Sequence, residues 1–211
     1  MSSQSLFYPA RIEIDYPQKL NRLTTLLRPI LIIPIFIILS FILGGGGISF
    51  QIGESTRSYS LGGMGGIVIA TALMLVFKQR YPRWWFDFSR ELVCFSARIV
   101  AYLLLLTDQY PSTVDQQAVH LEIDYPDAKR DLNRWLPLVK WLLAIPHYLV
   151  LAVLMFIGLF AVVYAWFVIL ATGRYPRALF HFVVGVGRWC LRVQAYAFLL
   201  VTDQYPPFNL N

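Results

Sequence analysis

Asp108 and Asp203 sit in one five-residue context, Thr-Asp-Gln-Tyr-Pro, found at Thr107–Pro111 and again at Thr202–Pro206. Two carboxylates in matched settings could form an acid–base pair or an ion site. Asp a few residues before proline also caps or turns a chain efficiently, and turn formation is the reading preferred for Asp108, Tyr110, Asp203 and Tyr205, as for Asp15 and Asp124 in Asp-Tyr-Pro. The three histidines, His120, His147 and His181, are far apart in sequence. His147 lies inside an apolar run, where an ionisable group is a functional candidate by default. It could ligate a haem or pass protons, although a structural hydrogen bond is the plainer role. Cys94 and Cys190 form no CxxC and read as buried thiols rather than a disulfide framework. The sequence has no Walker loop, GxSxG, HExxH or paired-cysteine motif, so no catalytic residue, metal site or cofactor is expected.

Arginine is the other residue type with chemistry to offer. Arg80, Arg83, Arg174 and Arg177 belong to two Arg-Tyr-Pro-Arg elements, the first followed by Trp84 and Trp85. Arg98, Arg188 and Arg192 follow on polar stripes of the next apolar segments. Together these residues suggest a basic rim that contacts anionic lipid headgroups or an acidic partner face, since guanidinium groups suit bidentate phosphate contact. Topology control and interfacial anchoring are compatible uses of the same residues.

The elements that must position these groups come in two copies. Ile12–Pro17 recurs as Leu121–Pro126, Asn21-Arg22-Leu23 as Asn133-Arg134-Trp135, and Ile33-Pro34 as Ile145-Pro146. Arg80–Arg83 recurs as Arg174–Arg177, and Arg98 with Ala101-Tyr102 as Arg192 with Ala195-Tyr196. The order is preserved, which is the signature of an internal repeat. The offset falls from 112 at Pro34/Pro146 to 94 at Arg80/Arg174, so the first copy carries an 18-residue insertion between them. Glycines at 44–47 and 62–66 flank its polar stretch. Residues 1–111 form the first module, with a Gly-rich insertion over 44–62, and residues 112–211 the second.

The chain is 57% hydrophobic and 14% charged, with mean hydropathy +0.57. Soluble domains hold about 25% charged residues, so a membrane protein is indicated. A net charge of +6 beside apolar runs points to headgroups rather than nucleic acid. The first apolar run starts near Leu23 without a clear cleavage site after it, and reads as a retained anchor.

Each copy opens with an alternating strand pattern, and two such strands could pair between copies. Apolar segments at 23–43 and 135–155 read as first spans, and those at 63–77 and 156–172 as second spans. A single helix over 142–172 would be about 46 Å long, against a hydrocarbon thickness of about 30 Å. A hairpin tight near Gly158 is therefore expected in the second copy, giving four transmembrane helices overall. The third segments, 84–106 and 178–201, carry polar stripes: Asp87, Glu91, Cys94, Arg98 and Ala101 in one, His181, Gly185, Arg188, Arg192 and Ala195 in the other. Charge placement favours interfacial helices, with only Arg57 of 18 basic residues on the far side and both termini cytoplasmic. The fold class is thus an all-α membrane protein of two tandem modules. Each is a transmembrane helical hairpin plus an amphipathic interfacial helix, with short N-terminal β-strands.

Four stretches carry a family likeness: Ile145–Tyr148, Thr172–Arg177, Arg188–Tyr196 and Thr202–Phe208. Through them the chain resembles a bacterial membrane family catalogued as domain of unknown function 4389. The likeness covers most of the second copy and the first more loosely. The Gly-rich insertion departs from it, as does Ile35 where the second copy has His147. It implies a fold and a bacterial inner-membrane location but no activity. The function expected from the whole is a non-catalytic accessory subunit that packs against a larger membrane complex or organises lipid around it. A small transporter or channel, working as an oligomer, is the alternative, and a membrane enzyme the third.

Overall fold

The computed structural model describes residues 8–35, 37, 48–52, 55–59, 63–113, 115 and 117–210. In chain order they form β1 (Ala10–Ile14), α1 (Arg22–Leu31), β2 (Ile48–Ile52), β3 (Ser55–Tyr59), α2 (Gly63–Lys78), α3 (Arg83–Leu103) and β4 (Val119–Ile123). A 3-10 turn at Leu136–Leu138 precedes α4 (Lys140–Leu143), α5 (Ile145–Thr172) and α6 (Arg177–Ala197).

The opening strands of the two copies pair with each other. β1 and β4 run antiparallel, with Ile12 opposite Leu121 and Ala10 opposite Ile123. Ile12 and Leu121 are the same position of the repeat, so the pairing places a pseudo-two-fold axis through them. The alternation seen in the sequence has its physical use here: Ala10 and Ile12 point inward, and Arg11 and Glu13 outward. β1 then packs against α6 of the other copy and β4 against α3 of the other copy.

The exchange is reciprocal in detail. Tyr16 Oη donates to the Tyr175 carbonyl at 2.5 Å, and Tyr125 Oη to the Tyr81 carbonyl at 2.5 Å. Tyr16 meets Phe180 edge-on at 5.0 Å, and Tyr125 meets Phe86 edge-on at 5.1 Å. The buried core correspondingly mixes Ile12, Leu20, Tyr81, Phe86 and Val93 with Val119, Ile123, Tyr175, Phe180 and Leu191. Neither copy encloses this core alone.

The expected fold of four spans in two helical hairpins is overturned. α5 runs unbroken for 28 residues through Gly158. A lone glycine costs a helix about 1 kcal/mol relative to alanine. Turning an apolar segment exposes several backbone groups, each costing more in an apolar setting. The helix instead ends at Gly173, whose φ of 75° supplies the left-handed residue that closes a C-terminus, its N–H bonding to the Ile169 carbonyl at 2.7 Å. At about 42 Å, such a helix can exceed the hydrocarbon thickness by tilting or emerging. Among the described residues, α5 is the one helix long and apolar enough to cross a membrane. α3 and α6 have 21 residues each but lack the required apolar character.

In the first copy, the 18-residue insertion falls where α5 is continuous in the second. Within the insertion, β2 and β3 pair antiparallel over the polar stretch. Gly44 to Gly47 lie outside the described residues. The described residues are therefore mostly helical but include two small two-stranded sheets rather than being all-α.

Candidate functional site

α1 is built inside out. Leu23, Leu26, Leu27 and Ile30 face outward, while Thr25 and Arg28 are buried. Arg28 donates through Nη1 to the Tyr102 carbonyl at 2.7 Å, and through Nη2 to Asp108 Oδ1. Its guanidinium lies 4.4 Å from the Tyr102 ring centroid. The other oxygen of Asp108 accepts the Asn21 N–H at 2.6 Å, and Asn21 Oδ1 caps the helix by accepting the Leu23 N–H at 2.9 Å.

The second copy repeats this clamp with a different cation. Lys140 is wholly buried, its Nζ 2.7 Å from both the Thr202 carbonyl and Asp203 Oδ1, and 5.2 Å from the Tyr196 ring centroid. Asp203 Oδ2 accepts the Asn133 N–H at 2.5 Å, and Asn133 Oδ1 the Trp135 N–H at 3.1 Å. Burial pulls the pKa of each cation below its ordinary value, and the neighbouring carboxylate opposes that pull. Asp108 and Asp203 thus tie the start of one amphipathic segment to the chain that follows α3 or α6. The turn hydrogen bonds beside them come from Thr107 and Thr202, whose Oγ1 atoms accept from Gln109 and Gln204. Tyr110 and Tyr205 pack edge-on against Tyr102 and Tyr196 at 5.8 Å in each case.

Sequence reasoning passes over Arg28 and Lys140. A signal was present: both are cations inside apolar runs, at equivalent repeat positions. The missing link was that Asp108 and Asp203, some 60 to 80 residues downstream in sequence, are their partners.

His147 occupies the first turn of α5 and is fully buried. Trp189 Nε1 donates to its Nδ1 at 3.0 Å, Phe208 stacks on its ring at 4.0 Å, and Tyr205 lies at 4.7 Å. An accepting Nδ1 puts the proton of a neutral ring on Nε2, which has no hydrogen-bond partner. The equivalent Ile35 instead joins an apolar cluster with Ile32, Ile99 and Tyr102. Among the described residues, no three His, Cys, Asp or Glu side chains converge as a metal site.

The arginines divide into two sets. Arg98 donates to the Ser112 carbonyl at 2.5 Å, Arg188 to the Ile12 carbonyl at 3.2 Å, and Arg192 to Asn209 Oδ1 at 2.5 Å and its carbonyl at 2.9 Å. These three hold the segments after α3 and α6, and the swapped strand, in place. Arg80, Arg83, Arg174 and Arg177 are exposed. Arg83 lies over Tyr125 at 5.6 Å and Arg177 over Tyr16 at 5.4 Å, capping the exchanged tyrosines. Trp84 is exposed, whereas Trp85 donates to Thr71 Oγ1 at 2.8 Å and ties α3 to α2.

The outward surface of α5 is almost wholly apolar. Leu149, Val153, Phe156, Phe160, Tyr164 and Phe167 recur every three or four residues and are each at least 60% exposed. At about 2 kcal/mol per side chain, leaving these six in water forfeits on the order of 10 kcal/mol. That matches the whole stability of a domain, about 5–15 kcal/mol. Something apolar must cover this face.

A family model described as a domain of unknown function (DUF4389) matches residues 59–114 and 135–209. No curated protein and no solved structure matches the chain.

Proposed function

We propose that this chain, which belongs to the DUF4389 family and carries its domain in two tandem copies, is a non-catalytic membrane-embedded subunit that packs against a larger membrane assembly. The observation that carries the reading is the inversion of α1, α4 and α5. Inside these helices Thr25, Arg28, Lys140 and His147 are buried, while Arg22 and Thr172 at their ends are exposed, and most of their large apolar side chains face out. Water selects the opposite arrangement. A surrounding of lipid tails and apolar partner helices selects this one.

In this reading α5 crosses the bilayer. α1 and α4, held by the two cation–carboxylate clamps, lie against it with Leu23, Ile30, Trp135 and Trp141 in the acyl region or at its edge. The buried ion pairs are spent on orientation rather than reaction: each fixes where a short amphipathic segment starts and which face it turns outward.

The test is gentle extraction of a C-terminally tagged chain from native membranes, with mass spectrometry of whatever co-purifies. A stoichiometric membrane partner supports the subunit role. A chain that purifies alone and monodisperse sinks that role. Recovery in the soluble fraction after carbonate washing sinks the membrane assignment itself.

A further inference from the structure

Where α2 hands over to α3, the chain makes a cleft of about 680 Å³ lined by Gln79, Arg80, Arg83, Tyr125 and Lys129, among others. Gln79 takes a left-handed φ of 44°, which turns the chain sharply out of α2. Pro82 precedes the first turn of α3, which has no side-chain cap and no acidic residue. The helix therefore presents its positive end to the same cleft.

Arg80, Arg83 and Lys129 have no carboxylate within ion-pairing distance among the described residues. The one acid in the lining, Asp127, already accepts the Lys129 backbone N–H at 3.0 Å. Three cations against one carboxylate leave the concavity with a net charge of +2, complementary to a phosphate group.

A second observation selects the source of that phosphate. Ile69, Leu73 and Phe77 are outward-facing residues of α2, spaced by four and rising toward the cleft, and Phe77 is 72% exposed. They form one apolar stripe that ends two residues before Gln79, the first residue of the cleft lining, and Trp84, next to Arg83, is exposed as well. A polar anionic head with an apolar tail fits this sequence of surfaces, and a free anion uses only half of it.

Resting on the membrane assignment above, we propose that this cleft binds the phosphate of an anionic glycerophospholipid, with an acyl chain laid along Ile69, Leu73 and Phe77. Arg80 and Arg83 supply guanidinium contacts, Lys129 supplies a point charge from the linker after β4, and the Arg83–Tyr125 stacking holds one guanidinium in place.

The experiment uses the full chain in neutral-detergent micelles, titrated with dioctanoyl phosphatidylglycerol, dioctanoyl phosphatidylcholine or inorganic phosphate and read by native mass spectrometry. Saturable phosphatidylglycerol binding is expected, stronger than that of phosphatidylcholine. The R80A/R83A/K129A variant is expected to lose about a hundredfold in affinity for it. The L73S variant is expected to weaken phosphatidylglycerol and leave inorganic phosphate unchanged. If the triple variant does not fold, K129E alone is expected to lose about tenfold or more. Undiminished phosphatidylglycerol binding by the variants overturns the site. Displacement of phosphatidylglycerol by equimolar inorganic phosphate overturns the lipid as its source. Membrane retention of the same variants after carbonate washing separates failure of the cleft from failure of the membrane assignment.

Discussion

Lys140 Nζ lies 2.7 Å from Asp203 Oδ1, with no part of the lysine exposed. Arg28 and Asp108 make the equivalent contact in the first copy. Removing one partner of a buried pair leaves an uncompensated charge, which costs about 3–5 kcal/mol. Asp203→Ala is therefore expected to lower the unfolding free energy by roughly 3 kcal/mol, measured by denaturant titration in micelles. Lys140→Met with Asp203→Asn should recover most of that loss. A double variant no better than Asp203→Ala would mean that the pair is not the source of the effect.

The exchanged tyrosines predict that the halves need each other. Residues 1–111 and 112–211 expressed separately should each fail to fold, because each lacks half of the shared core. Co-expressed, they should co-purify in equal amounts. Tyr16→Phe and Tyr125→Phe should cost similar amounts, about 1 kcal/mol each, since they remove equivalent hydrogen bonds. A large inequality between them would contradict the pseudo-symmetric arrangement.

Gly158 distinguishes one long helix from a hairpin. A Cβ at this position meets nothing within 4 Å. Gly158→Leu should be neutral or stabilising by about 1 kcal/mol, as expected for replacing glycine in a helix. Gly158→Pro should cost about 3 kcal/mol or more and lower helix content by circular dichroism. If proline were tolerated and leucine harmful, the chain would turn there.

Several tyrosines are shifted upward by burial. Tyr81 is pushed from its ordinary 10.0 to about 12, and Tyr8 and Tyr175 also move up. The folded state then holds protons that the unfolded chain releases near 10. The stability from Tyr81 is full below pH 10.0 and is lost as pH rises through about 12. Absorbance at 295 nm should show a late class of tyrosines ionising together with loss of circular dichroism. Full ionisation near pH 10 with the fold intact would contradict their burial.

Much of this was legible in the amino-acid sequence. The repeat came from ordered matches such as Thr107–Pro111 with Thr202–Pro206. The pairing of Ile12–Ile14 with its counterpart followed from period-two alternation and the instability of a lone strand. Mean hydropathy and the continuous apolar run over 142–172 pointed to a membrane, and the fold has there one helix long and apolar enough to cross one. These signals are local, since side-chain spacing on one strand or one helix is set by backbone geometry within a few residues.

What the tertiary structure decided depends on partners far away in sequence. Whether Gly158 turns or continues rests on how its neighbours' backbone groups are satisfied, and a glycine permits both outcomes. Arg28 and Lys140 look misplaced in apolar runs until the fold brings Asp108 and Asp203 beneath them. Arg98, Arg188 and Arg192 stand out as a basic set by composition, and only the fold reveals that they donate to carbonyls and to Asn209. A polar side chain states that it needs a partner, but which partner it finds is fixed only when distant segments pack.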